Sequence, residues 1–272
     1  MLTERVKRVK ARCGDSTFAG YVPQVVASYS PARQGVTDAT ADVVLTLPSP
    51  SLDYACVRTL AFDPSGNLWV GLEKGILLLF AKTALAATGT PTPTVTLSGL
   101  GPGALTSMRF DTTGNLFIAT QGTQQASSLV KRLSVAQLAS TAQVVPDSTF
   151  AIPSGYDAGH LTFDANGNLW VPTASQSQGA ISFGQLLRFD ANKLASATAT
   201  PSIVIDTNQD LLAAAFDNTG AVWVNGWSNG GWGMFVLDRT QIAQSTTTKL
   251  SLSKGFVGSS WALANLAFDP PH

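Results

Sequence analysis

The chain has 272 residues, of which 44% are apolar, so it can bury a sizeable core in one large domain or two small ones. Only 12% of the residues are charged, and the 17 basic and 17 acidic side chains cancel, which leaves no net field to attract nucleic acid or an anionic membrane. No run of about 18 apolar residues is present, which excludes a helical membrane span.

The N-terminal segment, residues 1–20, is basic. Five of the 17 basic residues lie in its first twelve positions, and the rest of the chain carries 12 basic and 16 acidic residues. A secretory signal requires an apolar stretch after the basic residues, and none follows here. The segment is therefore interpreted as a solvated tail. The compartment stays open, with a secreted or periplasmic bacterial location favoured over a cytosolic one. Cys13 and Cys56 are the only cysteines, too few for a four-cysteine metal site but sufficient for one disulfide.

The remainder, residues 21–272, is predicted to be a single repeat domain. One pattern, Phe-Asp-x-x-Gly-Asn-Leu-Trp-Val with small variations, occupies residues 62–70, 110–118, 163–171 and 216–224. A fifth copy begins at Phe268 and reaches the chain end. The aspartates of successive copies are 48, 53, 53 and 52 residues apart. Periods of this size with turn signals indicate the blades of a β-propeller, each of four antiparallel strands.

The predicted elements follow the repeat in chain order. Strand-like stretches at residues 24–30 and 41–47 are interpreted as the third and fourth strands of a blade that begins elsewhere. Four complete blades are predicted at residues 57–98, 105–152, 158–206 and 210–253. Residues 261–269 resemble a first strand, so segments 21–47 and 259–272 are predicted to form one composite blade that closes a five-bladed ring. Six blades are the alternative, and residues 6–13 are the candidate for the missing second strand.

The repeated aspartates have a structural explanation. An aspartate side chain accepts hydrogen bonds from backbone N–H groups two or more residues further on, and glycine supplies the positive φ that the turn needs. The aromatic residue of each copy suits packing between neighbouring sheets. We therefore expect these residues to form the scaffold, and we expect function at positions that break the repeat.

The Phe-Asp-x-x-Gly-Asn-Leu-Trp-Val motif resembles the repeat of NHL-type propellers over about residues 57–269. Similar turns occur in the gluconolactonase (senescence-marker protein) family and in virginiamycin B lyase. This resemblance implies an all-β propeller whose ligands bind at the mouth of the central channel, on the loops between blades and between second and third strands.

Candidate site residues follow from that placement and from breaks in the repeat. His160 is the only interior histidine and is the candidate catalytic base, with an expected pKa near neutrality. A loop with two tryptophans amid asparagine, serine and glycine offers stacking surfaces for a sugar or a small aromatic molecule. The candidate ligand-binding residues are Trp227, Trp232, Arg109, Asn265, Tyr156 and Gln121.

The gluconolactonase resemblance also implies a divalent cation at the channel mouth. Glu73 is the only glutamate after the N-terminal segment, and with Asp157 and Asp210 it can supply the oxygen ligands that Ca²⁺ prefers. These three residues lie outside the repeated turns and are the candidate metal ligands, with solvated loop carboxylates as the alternative. Ca²⁺ or another divalent metal is the only cofactor that the resemblance implies.

Three functions stay open. The first is a binding or interaction module for a small polar molecule, a sugar or a protein. The second is a metal-dependent hydrolase or lactonase of the gluconolactonase kind. The third is an engineered or reassembled propeller without activity. The chain has no phosphate-cradling loop and no basic–aromatic interleaving, so nucleic acid is not an expected partner.

Overall fold

The structure is a computed structural model that describes residues 25–28, 41–47, 57–101, 103–122, 126–176, 183–228, 231–246 and 257–258. Cys13, Cys56, Asn265 and the predicted first strand at residues 261–269 lie outside these ranges. The chain divides into two compact units. Unit 1 comprises residues 1–104 and 138–144, and unit 2 comprises residues 105–137 and 145–272.

Unit 1 contains a two-stranded sheet and a larger sheet. The two-stranded sheet is an antiparallel pair, β1 (Val25–Ser28) and β2 (Val43–Thr46), which confirms the strand-like stretches predicted at residues 24–30 and 41–47. The larger sheet has the order β10-β6-β5-β4-β3. Its strands are β3 (Val57–Phe62), β4 (Leu68–Leu72), β5 (Ile76–Phe80), β6 (Val95–Ser98) and β10 (Ala142–Gln143).

Unit 2 contains three sheets, each built around antiparallel neighbours in sequence order. The first comprises β7 (Leu105–Phe110), β8 (Leu116–Thr120), β9 (Leu129–Leu133) and β11 (Ser148–Ala151). The second comprises β12 (Tyr156–Ala158), β13 (Thr162–Phe163), β14 (Leu169–Ser175), β15 (Gln185–Phe189) and β16 (Ile203–Asp206). The third comprises β17 (Asp210–Phe216), β18 (Val222–Ser228), β19 (Gly231–Leu237) and β20 (Val257–Gly258).

Three features of these sheets were not part of the sequence prediction. The strand β10 joins the β6 edge in parallel and was not predicted. The last strand, β20, lies beyond residue 253, where the fourth predicted blade ended. The predicted first strand of the third blade is split into β12 and β13. Between them, the backbone of His160 bonds to β17.

Short 3₁₀ turns supply the only helical character in the described ranges, at Glu73–Gly75, Lys82–Ala86, Val135–Leu138 and Ala191–Lys193. Three of them directly follow β5, β9 and β15. No helix in the described part of the chain is long and apolar enough to span a membrane. The described part of the fold is therefore all-β and consists of several separate, mainly antiparallel sheets.

The repeated turn is built as its chemistry predicts. In the second sheet of unit 2, one oxygen of Asp164 accepts from the backbone N–H groups of Asn166 and Asn168 at 2.9 and 3.0 Å. The other oxygen accepts from the Asn168 amide and from the Trp170 indole, both at 2.9 Å. Gly167 has φ of 77°, a conformation that glycine adopts without strain. The aspartate thus fixes the turn and the aromatic residue that follows it.

The hydrophobic core of unit 2 lies between its neighbouring sheets. In unit 2, Phe117 of the first sheet packs edge-to-face on Phe163 of the second, with ring centroids 5.4 Å apart. Trp170 of the second sheet packs in the same way on Phe216 of the third, at 5.5 Å. Both Phe117 and Trp170 are buried, as expected for the repeated aromatic position. This packing fixes the three sheets of unit 2 relative to one another and so positions the loops at their ends.

Outer strands are covered by a polar segment from further along the chain. The hydroxyl of Thr88 accepts from the backbone of β2, that of Thr141 from β6, and that of Thr246 from β16. Each segment also bonds through its backbone to the strand that it covers. Such cover occupies edge N–H groups that would otherwise be open to pairing with another chain.

Candidate functional site

The candidate site is one end of the three sheets of unit 2, called here the unit 2 rim. Opposing residues at this end are Tyr156 and Ser175 in the second sheet, and Asp210 and Trp227 in the third. The repeated Phe-Asp turns lie at the other end of the same strands. The rim therefore collects the loops that the sequence predicted to carry function. Its residues are Gln121, Gly122, Ser128, Tyr156, Asp157, Ser175, Gln176, Asp206, Asp210 and Trp227.

Asp157 links the loop of one sheet to the next sheet. A single carboxylate oxygen accepts from the Gly122 backbone at 3.0 Å, from the Ser128 hydroxyl at 2.9 Å and from the Gln176 amide at 2.9 Å. Three donors on one oxygen hold the carboxylate in one orientation. Asp157 therefore fixes the position of Gly122 and of its exposed neighbour Gln121.

Asp210 makes the same kind of link one repeat further on. Its carboxylate accepts from the Ser175 backbone at 2.8 Å. The donors Gly122 and Ser175 are 53 residues apart, as are the acceptors Asp157 and Asp210, so the two bonds are equivalent members of the repeat. These aspartates lie outside the repeated Phe-Asp turns, but their contacts recur from one repeat to the next.

Tyr156 lies in the acidic part of the rim. The pKa of its phenol is raised by partial burial and by the negative charges of Asp206 and Asp210. Asp206 in turn accepts from the Gln185 amide at 2.8 Å. The neutral phenol and the fixed carboxylates form a polar surface with donors and acceptors, on which an uncharged hydroxylated ligand finds partners and an anion is repelled.

Trp227 is the one aromatic side chain exposed among the described residues, with 39% of its surface accessible. It lies near the end of β18, where its backbone pairs with that of Trp232 on β19. Asn225, two residues earlier on β18, lies on the same face of the sheet, because side chains alternate along a strand. Asn225 is 1% exposed, and neither atom of its amide has a hydrogen-bond partner among the residues that the structure describes.

Asn225 was missed by the sequence analysis although the repeat carries a signal for it. The equivalent positions in the other copies are Gly71, Ala119 and Pro172, all small or apolar. A buried amide without partners costs about 1–3 kcal/mol of stability, so this position departs from what packing alone favours.

Arg109, on β7, and His160, between β12 and β13, are not among the rim residues. The Arg109 Nε donates to the Leu161 carbonyl at 3.2 Å, and the His160 backbone donates to the Leu212 carbonyl at 2.7 Å. The pKa of His160 is lowered to about 4 by burial and by the positive charge of Arg109. This differs from the expectation of a pKa near neutrality, and the imidazole is uncharged at pH 7.

The structure offers no assembled ligand set for a divalent cation. No group of three or more histidine, cysteine, aspartate and glutamate side chains comes together in the described ranges. Glu73, in unit 1, is ion-paired with Arg58, while Asp157 and Asp210 bind neighbouring donors. These residues as placed do not fit a Ca²⁺ site, which needs several converging oxygens. The metal assignment of Glu73, Asp157 and Asp210 stays a prediction.

The structure thus brings together five of the residues singled out from the sequence: Gln121, Tyr156, Asp157, Asp210 and Trp227. Arg109 bonds to the carbonyl of Leu161, the residue after His160. Glu73 belongs to unit 1. Together the rim residues define the class of site as a polar surface with one exposed aromatic ring.

Comparisons with known proteins find only distant structural likeness. No protein-family model matches it, and no curated protein sequence matches it. A protein of unknown function from Bacteroides caccae is similar over 72% of this chain and 62% of its own, with 13% identity and a TM-score of 0.46. PorZ of Porphyromonas gingivalis, described as an essential bacterial surface component of the type-IX secretion system, is similar over 83% and 31%, with 16% identity and a TM-score of 0.45.

A third solved structure, a putative oxidoreductase (glucose dehydrogenase) from Thermus thermophilus, is similar over 66% of this chain and 62% of its own. Its identity is 17% and its TM-score is 0.41. The chain spans less than two thirds of the length of each of these proteins. At this level of likeness none of their activities is carried over to this chain.

Proposed function

We propose that the protein is a propeller-type binding module whose unit 2 rim holds an uncharged polar ligand of the sugar class. The observation that carries the proposal is the exposed indole of Trp227 on the same sheet face as the unpartnered amide of Asn225. A sugar ring presents an apolar face that stacks on an indole, and hydroxyl groups that pair with amides and carboxylates.

The rest of the rim supports an uncharged ligand. Asp157 and Asp210 are held in place by backbone donors, so their orientation does not have to be fixed on binding. The carboxylates of Asp206 and Asp210 disfavour an anion near Tyr156. Gln121, which is exposed, and Trp232, the backbone partner of Trp227, are proposed to extend the surface.

The test is a calorimetric titration with a panel of neutral mono- and disaccharides. For any saccharide that the parent protein binds, we expect Trp227→Ala to weaken the affinity at least tenfold, about 1.4 kcal/mol. Trp223→Phe is the matched control, because Trp223 lies on the same strand and its indole donates to Asp217 at 2.9 Å. That variant is expected to lose stability and to keep its affinity. No saccharide binding by the parent, or equal binding by Trp227→Ala, would contradict the proposal.

The alternatives have no comparable support. A metal-dependent hydrolase with His160 as base and Glu73, Asp157 and Asp210 as ligands is kept as a second hypothesis, although no observation in the described residues favours it over binding. The same is true of an inactive engineered scaffold. A secreted or periplasmic location stays part of the proposal and is checked by fractionating cells that produce the natural protein.

We also propose that the domain has five blades and closes through its termini. The pair β1 and β2 supports this, because Thr88 and Gly89 cover β2 in the way that Thr141 covers β6. In this proposal β1 and β2 are the third and fourth strands of the closing blade. Deleting residues 259–272 removes the predicted first strand of that blade and is expected to lower the melting temperature by more than about 5 °C. A melting temperature within a degree of the parent would argue against closure.

A further inference from the structure

A second feature of unit 2 is Arg109 on β7, an arginine without a counter-ion among the described residues. Arg109 lies near the end of β7 that carries the Phe-Asp turn, since its register partner is Phe117 and the next pair is Phe110 with Leu116. The rim is at the opposite end of this strand, where Leu105 pairs with Thr120. Arg109 is thus at a place separate from the proposed saccharide site.

The guanidinium of Arg109 is held by one bond only. Its Nε donates to the Leu161 carbonyl, and Leu161 is itself fixed because its N–H donates to the buried Ser107 hydroxyl at 2.9 Å. In the part of the chain that the structure describes, neither terminal nitrogen of Arg109 has an acceptor and no carboxylate lies within ion-pair distance. By contrast, Arg58 of β3 is paired with Glu73, and Arg132 of β9 and Arg188 of β15 are each paired with an aspartate.

The environment of Arg109 combines exposure with partial desolvation. The side chain is solvent-accessible, yet the protein around it removes enough water to lower its pKa. The equivalent position in the next two repeats is occupied by the smaller Thr162 and Ala215, both nearly buried. A desolvated cation without a partner gains more from an anion than a cation on an open surface does, because the charge is less screened.

His160 adds a second polar group next to this cation. It is the residue before Leu161, and the charge of Arg109 acts on its imidazole. Because the imidazole is neutral at pH 7, one ring nitrogen donates a hydrogen bond and the other accepts one. A planar carboxylate can take two parallel N–H bonds from a guanidinium fork and a further bond from an imidazole N–H.

We infer that Arg109 and His160 form a binding site for a small carboxylate, separate from the unit 2 rim. The ionised carboxylate pairs with the two terminal nitrogens of Arg109, and His160 donates to one of its oxygens. No covalent step is involved. The inference does not depend on the saccharide proposal, because the two sites share no residue.

The test measures the melting temperature of the full chain in sodium acetate and sodium succinate against sodium chloride at equal ionic strength and pH 7. We expect a saturable rise with the carboxylates in the parent. We expect Arg109→Met, which keeps the apolar stem, to abolish this rise, and Arg109→Lys, which keeps the charge without the fork, to weaken the apparent affinity about tenfold. His160→Phe, which removes the donor, is expected to weaken it less than Arg109→Met does.

Arg239→Met is the control for general anion association, because Arg239 is exposed and has no ion pair in the described residues. It is expected to respond as the parent does. The inference is wrong if the carboxylates change the melting temperature no more than chloride does, or if sodium phosphate raises it and the carboxylates do not. It is also wrong if the melting temperature of Arg109→Met responds to the carboxylates as that of Arg239→Met does. A calorimetric titration of Arg109→Lys with acetate decides the matter if Arg109→Met fails to fold. Saccharide binding is measured separately, so either result stands without the other.

Discussion

Replacing Gly184 by alanine is expected to lower the free energy of unfolding by about 3 kcal/mol, the upper part of the range for substitutions that force the backbone apart. A Cβ at this position would overlap the Thr173 carbonyl and lie 2.5 Å from the Gln209 carbonyl and 2.8 Å from the Leu211 nitrogen. All three atoms are backbone, so no side-chain rotation relieves the overlap. Gly184 also accepts from the Thr207 backbone at 2.9 Å, which ties the start of β15 to this junction.

Gly89→Ala is the matched control, since a Cβ at Gly89 meets nothing within 4 Å and its φ is not positive. That change is expected to be neutral or to stabilise by about 0.4–1 kcal/mol through the unfolded chain. Urea denaturation of both variants measures the difference. Equal stability of Gly184→Ala and Gly89→Ala would show that the backbones at this junction are not in contact.

Replacing Asp164 by alanine is expected to lower the free energy of unfolding by about 2–3 kcal/mol, because a charged acceptor of several hydrogen bonds is removed. Two backbone N–H groups and the Asn168 amide lose their partner at an exposed turn, where water replaces it in part. The Trp170 indole loses its acceptor while 99% of the residue is buried, so that N–H is left without one.

Asp111→Ala separates the contribution of the indole. Asp111 fixes the equivalent turn with four donors, but the aromatic residue there is Phe117, which has no N–H. We therefore expect Asp164→Ala to be more destabilising than Asp111→Ala by about 1 kcal/mol. Adding Trp170→Phe to both the parent and Asp164→Ala completes a double-mutant cycle. A coupling energy of zero between the aspartate and the indole would contradict the argument.

The part of the fold that the sequence predicts is the part made by local interactions. The donors to Asp164 lie two to six residues further along the chain, so the turn, its glycine and its aromatic residue are encoded together in nine residues. Hairpins then follow in chain order, and their period gives the blade-type sheets.

The candidate site is less visible in the sequence because its contacts join residues of different sheets. Tyr156, Gln121 and Trp227 were singled out by residue type and loop position, and the structure brings them to one rim. Asn225 was missed, since a single asparagine in an apolar strand shows neither its burial nor its lack of partners.

The sequence by itself determines the repeat, the order of the first three strands of each repeat and the structural role of the Phe-Asp turns, because these depend on neighbours within about 20 residues. Only the tertiary structure decides what the non-repeated polar residues do. Asp157 and Asp210 accept from donors 35 residues earlier in the chain, and Arg109 binds a carbonyl 52 residues away. Contacts over such separations depend on how whole sheets pack, and residue type alone does not distinguish a carboxylate that holds a loop from one that binds a ligand.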